Sequence, residues 1–448
     1  MKMIGRYAVR GQLGRGGMSR VYKVEMPVTG KIAALKRLEP NPLLVDLMGM
    51  EAVRELFVTE AVIVANLRHP HVTDIWDFDE EEGKPFYLMD YYCNNLGVMI
   101  GETYETEKPS RIIKTDRAIH YIRQVLMGLD RLHHAAIIHR DIKPFNILIT
   151  DHDAVKICDF GLSKLRGEVF QGPPQLKVGT PWYAAPEQEE NPNTVDYSAD
   201  LFSVGVMLYR MLTGILPMEN PKPASRFNPD LDEGWDAFLF KAMAPRPQDR
   251  FRRTRSMLAA LDEIISAWEA EKERICRLPP EETTDSPSPE SSNPNRRKQP
   301  IKVRPRVARE RFSLDELWRP RGYVQNQFEP GGDGIIFDRT TGLTWERSGS
   351  EYPLTWHEAN TYIDELNRNR RDGHTDWRLP TVDELTSLIT KTPHGRSLCI
   401  EPVFDPTQKQ LWSSDRRPHI AAWYVSIDLG FVAWQDFTGY YYVRGVRG

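Results

Sequence analysis

The sequence predicts an α+β protein made of two compact zones separated by a polar linker. Three observations predict it. Residues 4–40 read as strands around a glycine-rich turn, while long helical patterns dominate from about Thr115 onward. Residues 276–311 hold few apolar side chains; Ser286-Pro287-Ser288-Pro289 leads into a basic stretch through Arg296-Arg297-Lys298 to Arg311, which reads as a disordered or extended linker. Residues 312–448 are apolar enough to pack again and are rich in tryptophan.

Composition excludes several classes. A formal net charge of −4 gives no broad pull toward nucleic acid or acidic membranes, and no nucleic-acid partner is expected. The basic stretch of the linker could bind nucleic acid or an acidic partner, but a solvated linker is the favoured reading. Cys93, Cys158, Cys276 and Cys399 are scattered, without CxxC spacing, which fits a reducing cytosol better than a disulfide framework or zinc site. The N-terminus has no apolar signal region, and no run approaches the ~20 apolar residues of a membrane span. Leu201 to Leu216, interrupted by Ser203, Gly205, Arg210 and Gly214, reads as a buried helix. A cytoplasmic protein is expected.

Within the first zone, residues 1–275, Leu13-Gly14-Arg15-Gly16-Gly17-Met18-Ser19-Arg20-Val21 lies between two strand-like runs. Glycines there let backbone N–H groups approach phosphate oxygens, although a plain hairpin turn explains them equally well. Ile32-Ala33-Ala34-Leu35-Lys36 is a strand ending in a lysine able to neutralise phosphates. Glu51 to Leu67 has Val53, Leu56, Phe57, Ala61, Val64 and Leu67 at helical spacing, and Glu60 on that helix is the candidate carboxylate to hold Lys36. His139-Arg140-Asp141-Ile142-Lys143-Pro144-Phe145-Asn146 supplies a carboxylate to accept a hydroxyl proton, a lysine, and an amide oxygen for a cation. Asp159-Phe160-Gly161 adds a second carboxylate, suited to magnesium. Gly179-Thr180-Pro181-Trp182-Tyr183-Ala184-Ala185-Pro186-Glu187 follows.

In this order the motifs resemble a Hanks-type, bacterial serine/threonine protein kinase over residues 4 to about 270. The resemblance implies a two-lobed kinase fold, ATP and Mg²⁺ as cofactors, and protein substrates. It implies that Lys36 pairs Glu60 and the phosphates, that Asp141 is the base, that Lys143 meets the γ-phosphate, and that Asn146 and Asp159 hold the metal. It places nucleotide at Gly14, Gly16 and Ser19, adenine between Val21, Ala34 and Leu148, a gatekeeper at Met89, and hinge backbone at Asp90 and Tyr92. Glu187 is expected to pair with Arg250, and Asp200 to tie down the catalytic loop. Lys143 and Gly179-Thr180 imply serine or threonine as acceptor. The rival reading is a catalytically idle pseudokinase scaffold that acts by binding through its C-terminal domain; intact Lys36, Asp141 and Asp159 argue against it.

Two departures from the resembled pattern are informative. Arg140 would ordinarily meet an activation-loop phosphate, yet between Gly161 and Gly179 the only hydroxyl is Ser163, so Glu168 is the favoured stand-in as a fixed negative charge, with ordering of the loop by the C-terminal domain as the alternative. Phe145 and Leu96 occupy places where kinases that prefer arginine-containing substrates carry glutamates.

In the third zone, residues 312–448, Gly334 to Trp345 reads as two short strands around a turn. Trp356 to Arg368 reads as an amphipathic helix, and Thr381 as the N-cap of another, with Glu384 completing a capping box. Ala422–Val425, Phe431–Trp434 and Tyr440–Arg444 read as hairpin strands. Asp-x-x-Thr-Gly-Leu-x-Trp, Trp-Arg-Leu-Pro-Thr, Leu-Trp-Ser-Ser and Val-Arg-Gly-Val-Arg resemble the C-terminal domain of Lcl-type collagen-like adhesins. That resemblance implies a small mixed α/β, C-type-lectin-like fold serving as a recognition module of unknown ligand or partner. The tryptophans are expected to fill its core, with a ligand-binding aromatic patch as the alternative.

Overall fold

The computed structural model describes residues 2–102, 108–161, 164–165, 182–191, 193–218, 220–276, 297–332, 334–391, 398–418 and 421–448. The chain divides into two compact units, Met1–Pro280 and Glu281–Gly448. Among the described residues, no helix is long and apolar enough to cross a membrane.

The first unit begins with β1 (Met3–Ile4), β2 (Tyr7–Arg15), β3 (Ser19–Glu25) and β4 (Ile32–Leu38), followed by α1 (Pro42–Met48), α2 (Met50–Ala65), β5 (Ile75–Glu81) and β6 (Lys84–Asp90). The strands form one antiparallel sheet in the order β1-β2-β3-β4-β6-β5. Asn41 caps α1 by accepting from Leu43 N, and Gly49 at φ 80° ends it where an L-side chain would be strained. On α2, Val53, Phe57, Ala61 and Val64 are buried, and the same face carries Glu60 inward.

A largely helical part follows: β7 (Asn94–Asn95), α3 (Leu96–Ile100), α4 (Thr115–His134), β8 (Ile137–Ile138), β9 (Ile147–Ile149), β10 (Val155–Ile157), β11 (Lys164–Leu165), α5 (Pro186–Glu190), α6 (Ser198–Thr213), α7 (Glu233–Ala242) and α8 (Thr254–Cys276). The run expected as a buried helix, Leu201 to Leu216, falls on α6 as far as Thr213, and every residue of α6 but Phe202 is buried. Its end is set by Gly214 at φ 75°. The small sheets β10-β9-β7 and β11-β8 flank the segment that carries Asp141.

The second unit starts earlier than the sequence implies. Residues 276–311 are expected as a linker, yet from Arg297 onward they belong to this unit. Arg297 pairs with Asp415 and Asp383, Val303 N donates to Arg416 O, and α9 (Pro305–Arg311) buries Ala308. Val303 and Ala308 of the stretch, with Phe312 just beyond it, fall at spacings that put all three into the core. Residues 277–296, with the linker hydroxyls Thr283, Thr284, Ser286, Ser288, Ser291 and Ser292, lie outside the described residues.

Then come β12 (Phe328–Pro330), β13 (Ile335–Asp338), β14 (Leu343–Glu346), α10 (Trp356–Arg368), α11 (Val382–Ser387), β15 (Gln410–Arg417), β16 (Ala421–Ser426), β17 (Phe431–Asp436) and β18 (Val446–Arg447). They form two antiparallel sheets, β12-β13-β14-β18 and β15-β16-β17. The capping box on α11 forms as expected, and another stands on α10 between Thr355 and Glu358. Tyr440–Arg444 is a correction: it makes only isolated bridges, Tyr441 to Leu354 and Tyr442 to Leu411. Trp345, Trp377, Trp412 and Trp423 are buried, and Trp318 stacks on Trp423 at 5.8 Å.

Candidate active site

Strand register places Lys36 in β4 directly between Val21 of β3 and Tyr87 of β6. Its side chain is buried, and Nζ lies 2.6 Å from Glu60 Oε1 and 2.9 Å from Asp159 Oδ1. Burial opposes the charge on Lys36, but the carboxylates of Asp159 and Glu60 outweigh it and hold the ammonium well above its ordinary value. The same ammonium lowers Asp159 to about 2, against the effect of burial. Tyr87 donates its hydroxyl to Glu60 Oε1 at 2.9 Å, while Glu60 Oε2 is buried and has no hydrogen-bond partner among the described residues.

Asp141 sits on the segment between β8 and β9. Asp200, wholly buried in α6, accepts from the backbone N–H of His139 at 2.9 Å and of Arg140 at 2.8 Å. His133 Nε2 lies 2.8 Å from Asp200 Oδ2, and because a carboxylate only accepts, Nε2 is the donor. Burial alone would raise Asp200; the bonds from His133 and the His139 amide outweigh it and lower it. These bonds hold Arg140 at φ 68°, in the left-handed region disfavoured for its side chain. Asp141 Oδ2 accepts from Lys143 Nζ at 2.7 Å and from Asn146 Nδ2 at 3.0 Å. The Asn146 amide nitrogen also bonds Asp141 O at 2.8 Å, which commits its nitrogen to the loop and presents its oxygen as the donor for a cation.

The remaining expected residues fall along the sheet and the loop after it. Gly14 stands opposite Val21, and Gly16 N donates to Ser19 O at 2.8 Å, closing the turn. Ser19 shapes that turn with its carbonyl; its side chain is buried. Gly14 and Gly17 have no atom within 4 Å of where a β-carbon would stand, and neither they nor Gly16 has a positive φ. Packing and backbone angle therefore leave glycine unexplained there, and close approach of an outside group to the backbone explains it. Ala34 pairs with Met89 and Ala33 with Asp90 in the register. Asp90 lies 3.6 Å from Lys31, Tyr92 is half-buried, and Leu148 comes from β9. The half-exposed Asp159 carboxylate, the Asn146 amide oxygen and the open glycine turn are a donor set that fits Mg²⁺ and a nucleotide's phosphates.

Arg250 grips Glu187 bidentately at 2.7 and 2.8 Å, as expected. Phe145 is exposed, and its ring lies against α3, where a β-carbon on Gly97 would come within 2.6 Å of it. Leu96 is buried. Ser163, Glu168, Gly179 and Thr180 lie outside the described residues, so the expected Glu168–Arg140 contact does too. Sequence reasoning missed Tyr87 and His133. Once β4 and β6 are aligned, Tyr87 could be found as the residue opposite Lys36; His133, six residues before His139, gives no local signal.

Residues 7–276 match the protein kinase domain model. The chain belongs to the protein kinase family. It is 30% identical over 284 residues to the serine/threonine-protein kinase pkn3 of Myxococcus xanthus, covering 58% of this chain and 50% of that one. It is 32% identical over 276 residues to serine/threonine-protein kinase PknB of Mycolicibacterium smegmatis, covering 57% and 42%. The chain thus spans half or less of the length of these relatives. Residues 334–447 match the model of the Lcl C-terminal domain.

Proposed function

We propose that this kinase domain transfers the γ-phosphoryl group of ATP to serine or threonine hydroxyls of protein substrates, in the bacterial cytoplasm. The observation that carries the reading is the Lys36 ammonium held between two carboxylates, Glu60 and Asp159, which are 24 and 123 residues away in the chain. A structural ion pair needs one partner; this lysine is fixed in place with a second carboxylate left half in water.

In the proposed mechanism Lys36, positioned by Glu60, contacts the nucleotide phosphates and orients them. Asn146 and Asp159 would hold Mg²⁺, which when bound neutralises charge on the phosphates. Asp141 orients the acceptor hydroxyl and takes its proton, while Lys143, 2.7 Å from Asp141, is placed to meet the transferring phosphoryl group. Asp200 keeps this segment rigid through the amides of His139 and Arg140. Adenine is assigned to Val21, Ala34 and Leu148, with the backbone of Asp90 and Tyr92 reading its edge.

The C-terminal unit is proposed as a recognition module. Incubation of the full chain with Mg-ATP and a generic acceptor protein tests the catalytic reading. Phosphate on serine or threonine, lost in Lys36→Met and Asp141→Asn, is the expected result; no transfer under any condition would leave the idle-scaffold reading standing.

A further inference from the structure

The net charge of −4 conceals a local concentration. Residues 296–311 carry eight lysines and arginines and one acid, Glu310. In the structure this stretch is an ordered edge of the second unit. Asp415, wholly buried, accepts from Arg297 Nη1 and Nη2 at 2.8 and 2.7 Å and from the amides of Ile301 and Val382 at 2.7 and 2.8 Å. Lys302 then bridges Arg416 of β15, with Val303 N donating to Arg416 O and Arg416 N to Ile301 O, both at 2.9 Å.

With Val303, Ala308 and Phe312 inward, the cations face water. Lys298, Lys302, Arg304, Arg306, Arg309 and Arg311 are all exposed, and among the described residues none of the six side chains makes a hydrogen bond or ion pair. Arg416, bridged to Lys302, extends the stripe. Like charges this close repel within the ~10 Å screening length. Asp415 takes its ion pair from Arg297 and its remaining bonds from backbone amides, so none of the other six is used to neutralise it.

We propose that this stripe binds the phosphate backbone of a nucleic acid. Four of the six cations are arginine, whose planar fork matches phosphate oxygens bidentately. Their positions are preorganised by the Asp415 anchor and by α9, which limits the ordering cost on binding. An anionic membrane fits less well, because the stripe offers only Val307 as an exposed apolar side chain to insert.

The test is fluorescence anisotropy of a labelled 20-base-pair DNA duplex with the full chain, from 50 to 200 mM NaCl. Six phosphate contacts give a log–log salt slope of about −5 and a loss of about a thousandfold across that range. Arg304→Gln/Arg306→Gln/Arg309→Gln removes three contacts and should bring the slope to about −3. All three side chains are exposed, so hydrogen exchange of the β15 and β16 amides in the variant should match the parent's. Overturning results are no binding at 50 mM salt, a slope unchanged in a folded triple variant, displacement of the duplex by equimolar polyglutamate, or binding to phosphatidylserine vesicles in preference to the duplex.

Discussion

The buried lysine makes a quantitative prediction about stability that does not depend on turnover. Lys36→Met leaves the Glu60 carboxylate inside the sheet-facing side of α2, with one oxygen on Tyr87 and the other unpartnered. Breaking a buried pair by deleting one member typically costs about 3–5 kcal/mol, because an uncompensated charge stays behind. Glu60→Gln is milder. Lys36 keeps Asp159 at 2.9 Å, so the loss should be roughly 1–3 kcal/mol, in the range of a charged hydrogen bond. In Lys36→Met/Glu60→Gln no charge is stranded at that position. The double variant should cost less than the sum of the two single variants, by a coupling energy of about 1–3 kcal/mol. Two units make a single global transition ill-defined, so the readout is hydrogen exchange of amides in β4 and α2 during a urea series. Strict additivity of the two single variants would refute the reasoning, as would Glu60→Gln costing more than Lys36→Met.

Other predictions follow from the same geometry. Asp141→Asn should retain ATP binding, measured by calorimetry, and lose at least ~100-fold in transfer rate. Asp200→Asn turns an –NH₂ group toward donors it must accept from, so kcat should fall while the KM for ATP stays near the parent's; equal effects on both would argue against a loop-positioning role. Asp159 and Asp200 are held below the ordinary carboxylate range. The stability they contribute should be complete above about pH 5, begin to fall near the unfolded value of ~3.9, and for Asp159 be lost as pH drops through about 2. Acid titration of the parent against Lys36→Met should show a shallower decline in the variant. With Phe145 and Leu96 where carboxylates would be needed, a peptide array should show no dominant preference for arginine upstream of the acceptor.

The parts of the site most plainly legible in the residues themselves are fixed by neighbours in the chain, whereas the distant pair Glu187–Arg250 and the anchor Asp200 were reached through the family resemblance. Asp141, Lys143 and Asn146 lie within six residues, so their type and spacing announce the loop before any fold is known. Thr381 and Glu384 announced a helix start for the same reason, because a cap is a local bargain between a side chain and the next few amides. What stayed hidden depends on partners far along the chain. His133 matters because α6 brings Asp200 to it across 67 residues, and Tyr87 because register sets it against Lys36. The misread linker is the clearest case. Composition over residues 276–311 is dominated by charge, whereas the folding of its described part rests on Val303, Ala308, the adjoining Phe312 and one arginine. That arginine finds a buried carboxylate 118 residues away, at Asp415. Tyr440–Arg444 failed in the opposite sense. Its aromatic run has the composition of a strand, but Tyr441 pairs with Leu354 and Tyr442 with Leu411, so the segment is shared between two partners and extends neither sheet. Propensity reports what a pleated surface would accept, and only the arrangement of the neighbouring strands decides whether such a surface is offered.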